Sequence, residues 1–134
     1  MVVLTMEVDL ERKCIETKIR KIDDENKLQE FYKYLHCDVV DIVEIEVVEN
    51  KVSYYYDVIC DDEGLLKSPK VPVLYVNEDQ VIFGSCAFCK YNENGDSIGL
   101  ETKDIDRLMR YIHRQAKKMD DWYMRMIFRK AVNQ

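Results

Sequence analysis

Several features that would assign a function directly are missing from this chain. It contains no GxGxxG, Walker or GxSxG motif, so the usual signatures of dinucleotide binding, phosphate binding and serine hydrolysis are absent. The two histidines, His36 and His113, are too few for a histidine-rich metal centre. No apolar run approaches the roughly 20 residues that a membrane-spanning helix needs. The N-terminus has neither a basic start nor a continuous apolar stretch, so we expect no signal peptide.

The overall composition is that of an ordinary globular protein, but its charges are segregated. A chain of 134 residues that is 47% hydrophobic and 34% charged predicts a single domain, residues 1–134, with one core. Residues 38–63 contain nine acidic residues and one basic residue, whereas residues 103–134 contain nine basic and four acidic residues. One region can therefore repel or imitate nucleic acid, while another attracts an acidic surface.

Hydrophobic periodicity predicts an α+β fold with a mostly antiparallel sheet. Alternating residues predict strands at Val2–Val8, Cys14–Ile22, Val39–Val48, Val52–Ile59, Val73–Val76, Val81–Tyr91 and Ile98–Leu100. Helical spacing predicts one helix after the first strands, from Asp23 or Asp24 to about Leu35. The strands come in groups rather than alternating with helices, which favours antiparallel pairing. A helical segment from Thr102 or Lys103 onwards is expected to pack on or beside the sheet.

The C-terminal segment carries one apolar stripe and then a second apolar group. The stripe that we expect to face the sheet consists of Ile105, Leu108, Met109, Ile112, Ala116 and Met119. Asp120 and Asp121 either begin a second helix or lie inside one long helix, because no glycine or proline breaks the segment. The candidate residues for a dimer or partner surface are Trp122, Met126, Ile127 and Arg129. A homodimer and a tail folded onto its own subunit are both compatible with this pattern.

The five cysteines are expected to be reduced thiols, because their number is odd and no export signal precedes them. Cys86 and Cys89 form a CxxC pair, but they lie in a strand-like run where successive side chains alternate. Cys86 should therefore share a face with Phe88, and Cys89 should share the other face with Ala87. A redox or metal site at this pair is the alternative interpretation. We expect no metal and no cofactor.

The acidic stretch and its tyrosines contain the candidate partner-binding residues. These are Asp41, Glu44, Glu46, Tyr55, Asp61, Asp62 and Glu63. In one interpretation they form the solvent-exposed face of a strand and a hydrophilic turn. In the other they form a row of carboxylates, spaced about 6.6 Å apart along a strand, that competes for a basic nucleic-acid groove. Alternation places Asp41 on the face opposite Glu44 and Glu46, and at least one ring of the three consecutive tyrosines must reach solvent.

The order of segments in the middle of the chain resembles a known family. Those segments are the helix Leu28–Leu35, the strand Val39–Val47, the turn Asp61-Asp62-Glu63-Gly64, the run Gly84-Ser85-Cys86-Ala87-Phe88, the turn Asn94-Gly95-Asp96 and the helix Thr102–Tyr111. They resemble the domain of unknown function 3846, whose members are small proteins of bacteriophages, plasmids and conjugative elements of bacteria. The family-like core covers residues 14–113, and residues 114–134 are a helical C-terminal extension. His36-Cys37 stands where the family usually has Gly-Gly, and the family implies no catalytic residues.

The resemblance and the acidic stretch together lead to an expected function. We expect a non-enzymatic interaction protein of a phage or mobile element that acts in the cytoplasm of the bacterial host. It would inhibit a host defence or nucleic-acid-handling protein, as anti-CRISPR proteins do, without binding nucleic acid or a membrane itself. The first alternative is a small-ligand domain with a tyrosine-lined pocket between the sheet and the C-terminal helix. The second is a thiol enzyme centred on Cys86 and Cys89.

Overall fold

The computed structural model describes the backbone of residues 1–132 and the side chains of residues 1–125. The strands are β1 (Val2–Asp9), β2 (Cys14–Lys21), β3 (Val40–Glu49), β4 (Val52–Asp61), β5 (Pro72–Asn77), β6 (Gln80–Phe83), β7 (Cys86–Tyr91) and β8 (Ser97–Ile98). The helices are α1 (Lys27–Leu35) and α2 (Thr102–Val132), and a single 3₁₀ turn covers Gly64–Leu66. The predicted α+β class is confirmed.

Antiparallel pairing builds a central sheet in the order β2-β1-β7-β4-β3. β8 pairs with the end of β7, and β5 and β6 form a separate antiparallel hairpin. The strands β2 and β3 therefore form the two edges of the sheet. The predicted hairpin of Val39–Val48 with Val52–Ile59 corresponds to β3 and β4, which meet at a two-residue turn where both Asn50 and Lys51 have positive φ.

Apolar side chains on both faces of the sheet make a three-layered domain. On one face, Leu4, Val58 and Phe88 pack with α2 and with the β5–β6 hairpin. On the other face, a smaller cluster that includes Ile59 and Ala87 packs under α1. Because successive side chains of a strand point to opposite faces, the same strands contribute residues to both clusters. The central strand β7 is buried on both sides for this reason.

The predicted single strand Val81–Tyr91 is wrong, because the chain turns at Gly84. This glycine has φ of 87°, a conformation that other residues adopt at a cost. Residues before it form β6 in the separate hairpin, and residues after it form β7 in the central sheet. Gly64 lies against this turn so closely that a Cβ atom there would overlap the carbonyl oxygen of Phe83. The predicted strand Ile98–Leu100 is likewise the shorter strand Ser97–Ile98.

The first helix begins later than predicted. Asn26 is the N-cap of α1, and Asp23 instead accepts a hydrogen bond of 3.0 Å from the backbone N–H of Glu25 in the preceding turn. At the other end, His36 takes the left-handed conformation, with φ of 51° and ψ of 51°. This position often carries glycine in helices, because glycine adopts the conformation without strain.

One continuous helix, α2, extends to Val132, so Asp120 and Asp121 lie inside it. Its packed face differs from the predicted stripe. Leu108 is buried as expected, but Met109 and Ala116 are exposed. Polar residues occupy some of the buried positions of α2, and they form hydrogen bonds within the fold. Gln115, for example, donates a hydrogen bond of 2.8 Å from Nε2 to the Tyr75 carbonyl oxygen. A hydrophobic pattern cannot reveal such positions.

Candidate functional site

One half of a sheet face forms a surface that we call the acidic–aromatic face. The register of β3, β4 and β7 places its members on the side where α1 packs. They lie beyond the apolar cluster that α1 covers: Ile42, Glu44, Glu46, Val48, Tyr55, Asp57 and Tyr91. The structure thus brings together three predicted partner-binding residues, Glu44, Glu46 and Tyr55. It adds Asp57, which sequence reasoning missed although the β3–β4 hairpin could have placed it opposite Glu44.

Two carboxylates of the acidic–aromatic face stand directly opposite each other. Glu44 on β3 is the cross-strand partner of Asp57 on β4, and like charges in this position destabilise a sheet. The pKa of Asp57 is raised, first by partial burial and then by the charge of Glu44. Tyr91 Oη donates a hydrogen bond of 2.8 Å to Glu44 Oε2 and so helps to hold that carboxylate in place. The sheet therefore holds two carboxylates opposite each other although their mutual repulsion disfavours the fold.

Large apolar side chains flank these carboxylates and are open to solvent. Ile42 and Val48 are each 55% exposed, and Tyr55 is 49% exposed. The apolar cluster beneath α1 ends at Ile59 and Cys89, so α1 leaves this half of the face uncovered. Aromatic and apolar side chains next to polar ones are typical of surfaces that bind proteins.

Asp41 lies on the opposite side of the sheet, as predicted. Its cross-strand partner is Cys60, whose side chain belongs to the core on the α2 side. Asp62 and Glu63 are exposed in the turn that follows β4. These three residues therefore form acidic positions separate from the acidic–aromatic face.

Asp61 was expected in an exposed turn, and that expectation is wrong. It is the last residue of β4, and its side chain is 3% exposed. The carboxylate forms a salt bridge with Lys67 and accepts a hydrogen bond of 2.9 Å from the Glu63 backbone N–H. Because a buried carboxylate needs such partners, Asp61 organises the turn and is not available to a protein partner.

A buried polar network fills the space between the sheet and the start of α2. Tyr56 Oη donates a hydrogen bond of 2.8 Å to Asp104 Oδ1 and accepts one of 2.8 Å from Arg107 Nη1. Lys90 Nζ lies 2.9 Å from Asp104 Oδ2. Burial is the main cause that raises the pKa of Tyr56 to about 12. Tyr56 is therefore packed and hydrogen-bonded, while the tyrosine-lined ligand pocket between the sheet and the C-terminal helix stays a prediction.

Some of the basic residues of the C-terminal segment form salt bridges within the fold. Arg110 donates two hydrogen bonds of 2.8 Å to the carboxylate of Glu49 at the end of β3. Arg107 and Arg114 each lie 3.6 Å from the same carboxylate. The hydrogen bond from Arg110 is the main reason that the pKa of Glu49 falls to about 2. These arginines attach α2 to the edge strand β3, although Arg110 and Arg114 remain largely exposed.

The predicted dimer or partner surface lies only partly within the described side chains. Trp122 is half-buried, and its neighbours Tyr123 and Met124 are exposed. Met126, Ile127 and Arg129 lie outside the residues whose side chains are described. The homodimer stays a prediction.

All five cysteines are free thiols. Cys86 belongs to the core cluster on the α2 side and Cys89 to the cluster under α1, so their predicted placement on opposite faces is confirmed. Burial raises the pKa of Cys60 to about 12 and that of Cys89 to about 11, and it raises the pKa of Cys86 further. These three thiols are therefore protonated at neutral pH, which disfavours thiolate chemistry at the CxxC pair.

One group of potential metal ligands occurs in the described part of the chain. Asp9, Cys14 and Glu16 bring their ligand atoms within 4.8 Å of one another beside the β1–β2 turn. Arg12 lies 3.8 Å from both carboxylates, and Lys18 lies 3.4 Å from Glu16. These charges are already paired, so the cluster is explained as a salt-bridged hairpin end.

A cleft lies at the end of the sheet opposite the start of α2, and we call it the loop cleft. Its volume is about 300 Å³. The end of α1, the turn after β4 and the start of β7 all contribute lining residues, and these are segments on which the family resemblance is based. Gly84 Cα carries no side chain here, and a Cβ at this position would lie 3.9 Å from both Asp61 Cβ and Gly64 Cα. The cleft is lined by Val8, Leu10, Leu35, His36, Asp61, Gly64, Lys67, Ser68, Pro69, Val71, Gly84 and Ser85.

Comparisons with known proteins place the chain in a family without indicating an activity. Within the described residues, no helix is both long and apolar enough to cross a membrane. No curated protein and no solved structure matches the chain. A family model described as "Domain of unknown function (DUF3846)" matches residues 1–113, which extends the predicted family-like core to include β1. The resemblance seen in the sequence is confirmed, and the chain belongs to the DUF3846 family.

Proposed function

We propose that this protein is a non-enzymatic interaction protein that binds a basic surface of a partner protein through its acidic–aromatic face. The observation that carries the proposal is the cross-strand pair Glu44 and Asp57 beside exposed apolar side chains. Like charges placed opposite each other cost stability in the free protein. A basic partner surface would convert this cost into favourable binding energy, because it would supply the missing positive charge.

The chemistry of the face also supports a class of partner. Glu44 and Glu46 lie on the same side of β3, and such residues repeat at about 6.6 Å, close to the separation of neighbouring phosphates in a nucleic-acid strand. A protein surface that binds a phosphate backbone would therefore also accept this row of carboxylates. The partner that we propose is a host protein that handles nucleic acid, and direct binding of nucleic acid to the acidic–aromatic face is not expected.

Membership of the DUF3846 family supports the biological setting of the proposal. The resemblance implies small proteins of phages, plasmids and conjugative elements, and such accessory proteins often inhibit host defence by surface recognition. We propose the same setting here, with the protein acting in the bacterial cytoplasm on a defence nuclease or a related protein. An anti-CRISPR-like inhibitor is the most specific form of this proposal.

A capture experiment with matched charge variants tests the proposal. The face variant carries Glu44→Gln, Glu46→Gln and Asp57→Asn. The control variant carries Glu11→Gln, Glu25→Gln and Glu93→Gln, which remove the same charge at exposed positions elsewhere. We expect the unmodified protein and the control variant to capture the same stoichiometric bacterial protein, and the face variant to lose it. Retention by the face variant, or equal loss in both variants, would contradict the proposal.

A further inference from the structure

The loop cleft combines an apolar wall with a few polar groups, which is the usual construction of a small-molecule site. Val8, Leu10, Leu35, Pro69 and Val71 form the apolar wall. A second hollow of about 650 Å³ adjoins it and shares four of these five residues. Apolar surface that a ligand covers here is removed from water, and this contributes favourably to binding.

Lys67 lines the loop cleft and has a hydrogen-bond donor that none of the described residues accepts. Its ammonium group forms the salt bridge with Asp61 and donates a hydrogen bond of 2.7 Å to the His36 carbonyl oxygen. An ammonium group has three N–H donors, and the third has no acceptor among the described residues. Ser85 Oγ accepts a hydrogen bond of 3.0 Å from the Val8 backbone N–H, so its own hydroxyl proton is also available to a ligand.

The charged residues that line the loop cleft favour a ligand with an uncharged hydrogen-bond acceptor. Asp61 and Lys67 are the two opposite charges of the cleft, and they are paired with each other. An added carboxylate or phosphate would approach the buried Asp61 carboxylate with only a shared cation to offset the repulsion. A neutral acceptor such as a ketone or amide oxygen can take the remaining Lys67 donor without this cost.

His36 lines the loop cleft in a conformation that costs stability. It has φ of 51° at the C-terminus of α1, where glycine would be unstrained. Non-glycine residues in this conformation often occur at functional sites, where the side chain is needed in spite of the strain. His36 is exposed and lines the cleft, and its backbone carbonyl oxygen accepts the hydrogen bond from Lys67.

We propose that the loop cleft binds a small, mainly apolar, uncharged molecule with one hydrogen-bond acceptor, held by Lys67 and Ser85 and contacted by His36. The ligand's apolar part lies against Val8 and Leu10. This site is distinct from the acidic–aromatic face, and its ligand does not depend on the protein partner proposed above.

Three probes of similar size test the chemistry of the cleft. Acetophenone carries a neutral acceptor, ethylbenzene carries none, and benzoate carries a charged one. We expect amide NMR spectra of the full chain to shift at Lys67, Gly84 and Ser85 with acetophenone. Ethylbenzene and benzoate should bind about tenfold more weakly, because a factor of ten corresponds to about 1.4 kcal/mol, the scale of one hydrogen bond. Equal affinity for all three probes, or shifts that avoid the cleft, would overturn the proposal.

A matched pair of glycine variants separates binding from stability. His36→Gly removes the imidazole and relieves the left-handed strain, whereas Asn50→Gly relieves a similar strain, with φ of 52°, far along the chain in the β3–β4 turn. We expect both variants to fold with unchanged or higher thermal stability, and only His36→Gly to weaken acetophenone binding. Equal binding by His36→Gly and the unmodified protein would overturn the role of His36, and loss of binding in both variants would overturn the site.

Discussion

Two single residues, Asp57 and His36, occupy positions that cost folding stability. Asp57 on β4 lies directly opposite Glu44 on the neighbouring strand β3, and both side chains carry negative charge. His36 has a left-handed backbone conformation. Residues that cost stability are often placed where binding needs them, because function and stability are selected together. Each of these residues lies at one of the two surfaces for which we propose a ligand.

The first prediction concerns Asp57 and pH. Its pKa is raised in the folded protein, so the folded state holds the proton more tightly than the unfolded state does. The stability from this group is present at low pH and is lost as pH rises through the raised pKa. Asp57→Asn should therefore increase the free energy of unfolding at neutral pH by about 0.5 kcal/mol, the scale of a cross-strand pair. The gain should disappear at acidic pH, where Asp57 is protonated.

Urea denaturation at neutral and acidic pH measures this effect. The exposed Asp79→Asn variant serves as the control, since Asp79 has no like charge as a strand partner. A stability loss in Asp57→Asn at neutral pH would show that the carboxylate supports the fold and is not held there at a cost.

At the scale of elements, the strands with one clear alternation could be predicted and the irregular parts could not. The first four strands were placed within about two residues because β-branched and polar residues alternate in them. The division of Val81–Tyr91 into β6 and β7 occurs at Gly84, where Gly64 from a distant segment lies against the Phe83 carbonyl group. No local pattern contains that contact.

The second prediction tests this close approach. Gly64→Ala should reduce the free energy of unfolding by on the order of 3 kcal/mol, because the new Cβ forces the Phe83 backbone to shift. Gly95→Ala is the comparison: its Cβ would meet nothing within 4 Å, so its smaller loss should come only from the strain of alanine at φ of 81°. Chemical denaturation of both variants gives the comparison. Similar losses in the two would mean that the junction between β6 and β7 tolerates a side chain.

The helix α2 was predicted, but the side chains that attach it were not. Asp104 and Gln115 are polar residues on the buried face, and their partners Tyr56 and Tyr75 are about 40 or more positions away in the sequence. A periodicity argument assigns polar residues to the exposed face, so it selected Met109 and Ala116 instead. The candidate site was affected as well, since the turn after β4 brings Lys67 onto the buried Asp61 carboxylate, a pairing that hydrophobic periodicity does not reveal.

The third prediction tests the attachment of α2. Tyr56→Phe keeps the ring and removes the hydroxyl that joins Asp104 to Arg107. We expect the free energy of unfolding to fall by about 1–3 kcal/mol, because a buried charged acceptor loses a donor. Tyr54→Phe is the control, since the Tyr54 ring stacks under the Arg107 guanidinium at 3.4 Å and keeps that contact without its hydroxyl. An equal effect of both variants on thermal unfolding would contradict this assignment.

At the scale of the whole molecule, the acidic and basic regions of the sequence contact each other at Glu49. Three arginines of α2 converge on Glu49 and help to hold the helix on the sheet. The carboxylates of the acidic–aromatic face, in contrast, are flanked by exposed apolar groups and by a second carboxylate. Parts of both charged regions therefore stabilise the fold, while Glu44, Glu46 and Asp57 of the acidic region remain on the acidic–aromatic face.

The fourth prediction concerns the C-terminal extension. Tyr123 and Met124 are exposed on α2 beyond the matched family region, and apolar groups on a helix surface can be covered by a second copy. If residues 119–132 contribute to a homodimer, light scattering should give a dimer for the full chain and a monomer for a chain ending at Met119. A monomeric full chain at micromolar concentration would contradict the dimer.

The central claim is that the acidic–aromatic face binds a basic protein surface. Titration of the captured partner at low and high salt, with the unmodified protein, the face variant and the control variant, tests it most directly. We expect the unmodified protein and the control variant to bind with similar affinity, and their binding to weaken with salt because screening reduces charge attraction. The face variant should bind at least about a hundredfold more weakly, a loss of about 2.7 kcal/mol, and should depend less on salt. Equal affinity and equal salt dependence in all three proteins would show that the acidic–aromatic face does not bind the partner.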